Sequence, residues 1–186
     1  MIQIRPRLSA ARPSDPPPIR TGTEIVTIPS TVATYTLAFR RARARQRELG
    51  KDRRVAVLCV SNELFQRYLD FKDLRDHFIA VTSRDEASGI PQSARKFLFS
   101  MPEFVAGLQF DTVLLIEVNR GEVPEGPYAA AALRKFVSQV YLGASRAERV
   151  LEFYASQEHG GVAPMITRAV LEKAIFAVDV HKLALE

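Results

Sequence analysis

Two apolar runs limit the folds open to this chain. Val55–Val60 (VAVLCV) and the core of DTVLLIEV (111–118) are continuous and rich in β-branched residues, without the polar alternation of a half-solvated strand. Such runs belong to strands covered on both faces, and sheets of that kind are parallel with helices packed above and below. HFIAVTS (77–83), KFLFS (96–100) and RVLEFYAS (149–156) supply further strands. TEIVTIPS (23–30) supplies a short one that breaks at Pro29. The expected class is therefore α/β, a mostly parallel sheet with helices on both faces.

Helical spacing falls between these runs. After a cap at Ser30 or Thr31, Val32, Tyr35, Phe39, Ala42, Gln46 and Leu49 recur at intervals of three and four and stop near Gly50, which defines one helical stripe. SNELFQRYLDF (61–71) offers a cap at Ser61 or Asn62 and then Leu64, Phe65 and Leu69. A helix from about Tyr128 carries Leu133, Phe136, Val137, Val140 and Tyr141 on its expected buried face, and MITRAVLEKAIFAV (165–178) is expected to close the fold as a helix. Residues 1–23 hold five of the eleven prolines. Proline removes backbone donors and favours extended neighbours, so this stretch is expected to be a flexible arm before one domain at 24–186.

At 186 residues the chain suits one domain with a substantial core. No apolar run approaches the roughly 20 residues that span a bilayer, and the N-terminus has no apolar signal region. One cysteine, Cys59, sits inside an apolar run. It is expected to be a buried small hydrophobe, which fits a reducing, cytoplasmic setting. The net charge of +5 is local: residues 40–54 carry eight Lys/Arg against Glu48 and Asp52, so the remainder sums to −1. Arg40, Arg41, Arg43 and Arg47 thus form a candidate nucleic-acid patch; a solvated helix face is the alternative.

Several chemistries find no support. The single Gly-Lys pair, Gly50-Lys51, is followed by Asp52, with Arg45 where the first glycine of a phosphate loop belongs. RDEA (84–87) is separated from its strand and has no phosphate loop to serve. His77, His159 and His181 are scattered without metal-ligand spacing, so no metal is expected. Ser61 and Ser100 lack the elbow of a serine nucleophile. In open parallel sheets ligands bind beyond the carboxyl ends of the strands, which directs attention to SNE, TSRDE, SMPEF and VNRGEVP. Arg146 lies elsewhere, between a long helical pattern and a strand, flanked by Gly143, Ser145 and Ala147. Its guanidinium has room to reach outward, to a surface carboxylate or to phosphate oxygens.

The order of three segments then carries a resemblance. AGLQFDTVLLIEVNRGEVP (106–124) is similar to the KGLEFD motif of UvrD/Rep-like superfamily 1 DNA helicases and the strand and turn that follow it. Gly107, Leu108, Phe110, Asp111, Asn119, Gly121 and Pro124 match. VYLGASRA (140–147) resembles their later YVALTRA motif, and RVAVLCVSN (54–62) an earlier I-A-V-L-x-R-x-N segment. The resemblance covers about residues 24–175, the second, C-terminal RecA-like domain. It implies a three-layer fold of the phosphate-loop NTPase type that has no phosphate loop of its own.

It further implies Arg146 as an arginine finger, with Gly107 and Gln109 also at the nucleotide. Asn62 and Phe104 fall where single-stranded DNA is contacted. ATP with magnesium is expected only beside a protein or domain carrying the first RecA-like half, and none is expected to bind alone. Ala106, Gln109 and Val60 replace the family's usual lysine, glutamate and arginine, and its earlier Q-Y-R motif has no counterpart. Hydrolysis by this chain alone is therefore not expected. The alternative is a non-enzymatic module that keeps the fold and binds nucleic acid or a protein partner.

Overall fold

A computed structural model describes residues 22–28, 30–50, 54–71, 75–90, 96–123, 125–172, 174 and 176–178. The proline-rich stretch through residue 21, Lys51–Arg53, Pro124 and His181 lie outside the described residues. Seven strands form the sheet: β1 (Gly22–Ile28), β2 (Val55–Cys59), β3 (Phe78–Val81), β4 (Phe97–Ser100), β5 (Phe110–Ile116), β6 (Ala147–Ser156) and β7 (Phe176–Val178). Their order is β3-β4-β2-β5-β6-β1-β7, and every pairing is parallel. The helices are α1 (Thr31–Leu49), α2 (Asn62–Leu69), α3 (Arg84–Ser88), α4 (Ala129–Ala144) and α5 (Pro164–Leu171).

The continuous apolar runs do what two-sided burial demands. Along β2, Val55, Val57 and Cys59 face one core with Tyr35 and Phe39 of α1 and Leu64, Phe65 and Tyr68 of α2. Ala56, Leu58 and Val60 face the other with Phe136 and Val140 of α4 and Ile166 of α5. The result is a three-layer RecA-like α/β fold. Ser30 caps α1, its hydroxyl accepting from Ala33 N at 3.2 Å, and Gly50 closes it with φ +76°. Ser61, not Asn62, caps α2. Cys59 is fully buried and its thiol pKa is pushed up by that burial.

Two expectations need correction. The closing helix ends at Leu171, and Phe176–Val178 leave it to pair in parallel with β1 as an edge strand. A three-residue apolar run has too little length to separate helix from strand by periodicity. The buried face of α4 is also rotated. Phe136 and Val140 are buried as expected, joined by Gln139 and Gly143, whereas Leu133, Val137 and Tyr141 are 46%, 38% and 73% exposed. Gly143 explains the rotation: a Cβ there would stand 2.5 Å from Leu115 Cδ1, so this helix approaches β5 through its glycine.

Candidate functional site

Because all strands run the same way, the sheet has an amino edge and a carboxyl edge. β5, at about 3.3 Å per residue, separates them by roughly 20 Å. The resemblance-derived residues divide between these edges.

At the amino edge, two distant segments meet. Phe110 N donates to Arg146 O at 2.9 Å, joining the start of β5 to the start of β6. Gly107 adopts φ +96°, a turn that L side chains rarely make, and its turn aims Gln109 into solvent. Arg146 is half-buried. Its Nη1 donates to Leu108 O at 3.5 Å, and its Nε and Nη2 donate to Ser145 Oγ at 3.3 and 3.0 Å. The Ser145 hydroxyl donates to Leu142 O at 2.9 Å, anchoring this arrangement to the end of α4. Among the described residues no carboxylate pairs with Arg146, so the surface salt bridge is not what holds it. Asp111, by contrast, is buried and lies 3.7 Å from Arg149 Nη1.

The basic stretch is not one uniform patch. Arg40 and Arg47 are exposed and Arg43 is half-buried. Arg41 Nε donates to Glu152 Oε2 at 2.7 Å, and Arg45 Nη2 stands 3.9 Å from Glu152 Oε1. Glu152 is fully buried in β6 and also accepts from Tyr154 Oη at 2.7 Å. Arg41 therefore ties α1 to the sheet. Sequence reasoning missed Glu152, although a carboxylate inside RVLEFYAS, opposite an arginine-rich helix, was the available signal.

Asn62 lies at the carboxyl edge, at the start of α2, and Phe104 in the turns that lead from the end of β4 back to the start of β5. Phe104 is half-buried between both cores, its ring 6.3 Å from that of Phe65. Asn62 is exposed at the start of α2, beside Glu63. Behind it lies a network that the sequence did not announce. Glu117, fully buried, holds φ +63° and is the only described non-glycine residue with positive φ. Tyr68 Oη donates to its Oε1 at 2.5 Å and Asn119 Nδ2 to its Oε2 at 2.6 Å. Asn119 Oδ1 in turn accepts from Ser156 N at 2.7 Å, linking β5 to the end of β6. Burial pushes the Glu117 pKa up, against the pull of these two hydrogen bonds. Burial also raises Glu122, opposed by a hydrogen bond from Ser61.

A cavity of about 350 Å³ opens at this carboxyl edge. Its wall includes Asn62, Glu63, Glu122, Lys135, Gln139 and His159. Among the described residues no cluster of His, Cys, Asp and Glu is arranged to hold a metal ion, and no helix is long and apolar enough to cross a membrane. RDEA opens α3, where Glu86 accepts from Thr82 N at 2.7 Å; hydrogen bonds from Thr82 hold its carboxyl below the ordinary value.

The architecture has a known counterpart. The chain is similar to the solved C-terminal domain of a possible DNA helicase from Lactobacillus plantarum WCFS1, with a TM-score of 0.61 and 15% sequence identity. The likeness covers 83% of this chain and 84% of that one. This chain shares that domain's fold. No protein-family model matches the sequence, and no curated protein does.

Proposed function

We propose that this chain acts as the second RecA-like domain of a UvrD/Rep-like superfamily 1 helicase. It completes an ATP site whose phosphate loop belongs to another domain or chain, and it contacts single-stranded DNA. The observation that carries this reading is the Arg146 guanidinium. It is half-exposed, held only by a hydroxyl and a carbonyl, and fixed through the Phe110–Arg146 backbone bond beside the Gly107–Gln109 turn. A guanidinium so held is preorganised for a phosphate and, among the described residues, has no carboxylate to leave.

ATP with magnesium, held by the partner's phosphate loop, would supply the phosphoryl group and most of the charge neutralisation. Arg146 would meet the developing charge on the outer phosphate, while Gly107 and Gln109 form the adjacent wall. Fingers of this type contribute roughly 10³–10⁵ in rate. The test mixes the chain with a phosphate-loop partner and single-stranded DNA and measures ATP turnover. Arg146→Ala should lose at least about a hundredfold, with Arg146→Lys only partly restored because lysine lacks the bidentate fork. Unchanged turnover in Arg146→Ala removes the reading.

A second reading has its own observation. The surroundings of Asn62 are acidic, with Glu63 and Glu122 beside it. Carboxylates there oppose a phosphodiester track at the carboxyl edge and favour a module that kept the fold without the motor. DNA contact would then be confined to Arg40, Arg43 and Arg47. Binding to an oligonucleotide should in that case weaken with log salt at about 0.7 per phosphate neutralised. Loss of binding in Asn62→Ala, with Arg40→Ala and Arg47→Ala unaffected, would exclude it.

A further inference from the structure

We infer that Ser145 is a positioning residue for Arg146. Its hydroxyl fixes which edge of the guanidinium meets phosphate: the two terminal nitrogens are presented, and the approach through Nε is closed. This role rests on the reading of Arg146 as the residue that meets the outer phosphate.

A serine hydroxyl carries one proton and two acceptor lone pairs. The Ser145 proton is spent on Leu142 O at 2.9 Å, a carbonyl in the last turn of α4. Its lone pairs serve Arg146, whose Nε and Nη2 donate to Ser145 Oγ at 3.3 and 3.0 Å. A hydroxyl that donates to a carbonyl becomes a better acceptor, so the two halves of this relay strengthen each other. The backbone holds both residues in the same corner. Arg146 N donates to Gly143 O at 3.1 Å, and Arg146 O accepts from Phe110 N at 2.9 Å.

A guanidinium has five N–H groups fixed in one plane. Nε and Nη2 form its lateral edge, and Nη1 and Nη2 its end. Ser145 occupies the lateral edge, and Leu108 O takes one N–H of Nη1 in a long bond of 3.5 Å. One N–H is left on each terminal nitrogen, and among the described residues neither has an acceptor. A phosphate arriving laterally must first displace Ser145, whereas one arriving end-on finds donors already placed. An arginine side chain has much rotamer freedom to lose, and the hydroxyl removes part of it before the nucleotide arrives. The competing account is structural: Ser145 closes α4, and its hydroxyl would merely satisfy Leu142 O. The two accounts part at Arg146, because only the first needs a lateral edge and lysine has none.

The test reads kcat and KM separately in the turnover assay of the chain mixed with a phosphate-loop partner. Ser145→Ala should lower kcat about tenfold, as expected for losing a hydrogen bond to a charged group, and leave KM for ATP within about twofold. Ser145→Thr, which keeps the hydroxyl, should recover most of the loss. In the Arg146→Lys background, adding Ser145→Ala should change kcat by less than about twofold. An equal loss in both backgrounds would show that the hydroxyl only braces α4 and would overturn the inference. So would Ser145→Ala turning over like the parent while Arg146→Ala is impaired. If Arg146→Ala itself turns over normally, the reading of Arg146 fails first and takes this role with it. The chain alone gives a readout free of any partner, the exchange of the Arg146 Nε–H with solvent followed by NMR. Ser145→Ala should speed that exchange at least about tenfold and Ser145→Thr should not; equal exchange in all three proteins would overturn the positioning role whatever the turnover.

Discussion

Arg41 and Arg40 are adjacent in an arginine-rich helix, yet their removal should have very different consequences. Arg41 donates to the buried Glu152 carboxylate at 2.7 Å, its own side chain 13% exposed and that of Glu152 1%. Arg40 is exposed. Removing one partner of a buried ion pair strands the other charge and typically costs about 3–5 kcal/mol. Arg45, 3.9 Å from the second Glu152 oxygen, retains part of the compensation, so the lower end, about 3 kcal/mol, is expected for Arg41→Ala. At about 2–4 °C per kcal/mol for a chain of this size, the midpoint should fall by about 6–12 °C. Arg40→Ala should stay within about 0.5 kcal/mol of the parent. Urea unfolding followed by circular dichroism measures both. Replacing the pair together, Arg41→Met with Glu152→Leu, should recover most of the loss, because an apolar pair needs no compensation. If Arg41→Ala and Arg40→Ala unfold at the same urea concentration, the reasoning that places Arg41 in the scaffold is refuted.

Other expectations follow from single contacts. Glu117 has its pKa raised in the folded chain, so its contribution to stability is complete below the ordinary carboxylate value of 4.5 and is lost as pH rises through the raised value. Glu117→Gln should flatten that decline in a series of melts above pH 4.5; an unchanged pH profile would contradict it. Gly143→Ala would press a methyl onto Leu115 and should cost about 1–3 kcal/mol by chemical denaturation. Ser30→Ala removes the hydroxyl that caps α1 and should cost about 1 kcal/mol, with Ser30→Asp close to neutral.

Much of the scaffold could be read from residues alone because two-sided burial leaves a plain mark. VAVLCV and TVLLI admit no solvent-facing side, and Ser30 and Gly50 punctuate α1 as caps should. What could not be read depends on partners far apart in sequence. Glu152 is tolerable inside β6 only because Arg41, 111 positions earlier, reaches it. Glu117 combines a left-handed backbone with a buried carboxylate that accepts from Tyr68 and Asn119, and no local pattern encodes that. The α4 face failed for a related reason. Periodicity counts apolar residues, whereas here the absence of a side chain at Gly143 decided which side could approach β5 most closely. Arg146 occupies an intermediate case: its position was legible, but the lack of a carboxylate beside it required the fold.

The direction of the sheet also constrains how any partner must approach. α1, α2 and α4 begin at the carboxyl edge and return to the amino edge, so their positive ends gather at the first and their negative ends at the second. Acidic residues follow the first, with Glu63 opening α2 and Asp85 and Glu86 opening α3. Basic residues follow the second, with Arg47 and Arg67 in the last turns of α1 and α2. Arg146 adds its guanidinium to that amino edge. A phosphate loop, in turn, stands at a helix N-terminus beyond the carboxyl end of its own sheet. For one nucleotide to touch both, the partner's carboxyl edge must face this chain's amino edge, head to tail. Such a head-to-tail arrangement would turn this chain's carboxyl edge, where Glu63, Asp85 and Glu86 open their helices, away from the nucleotide.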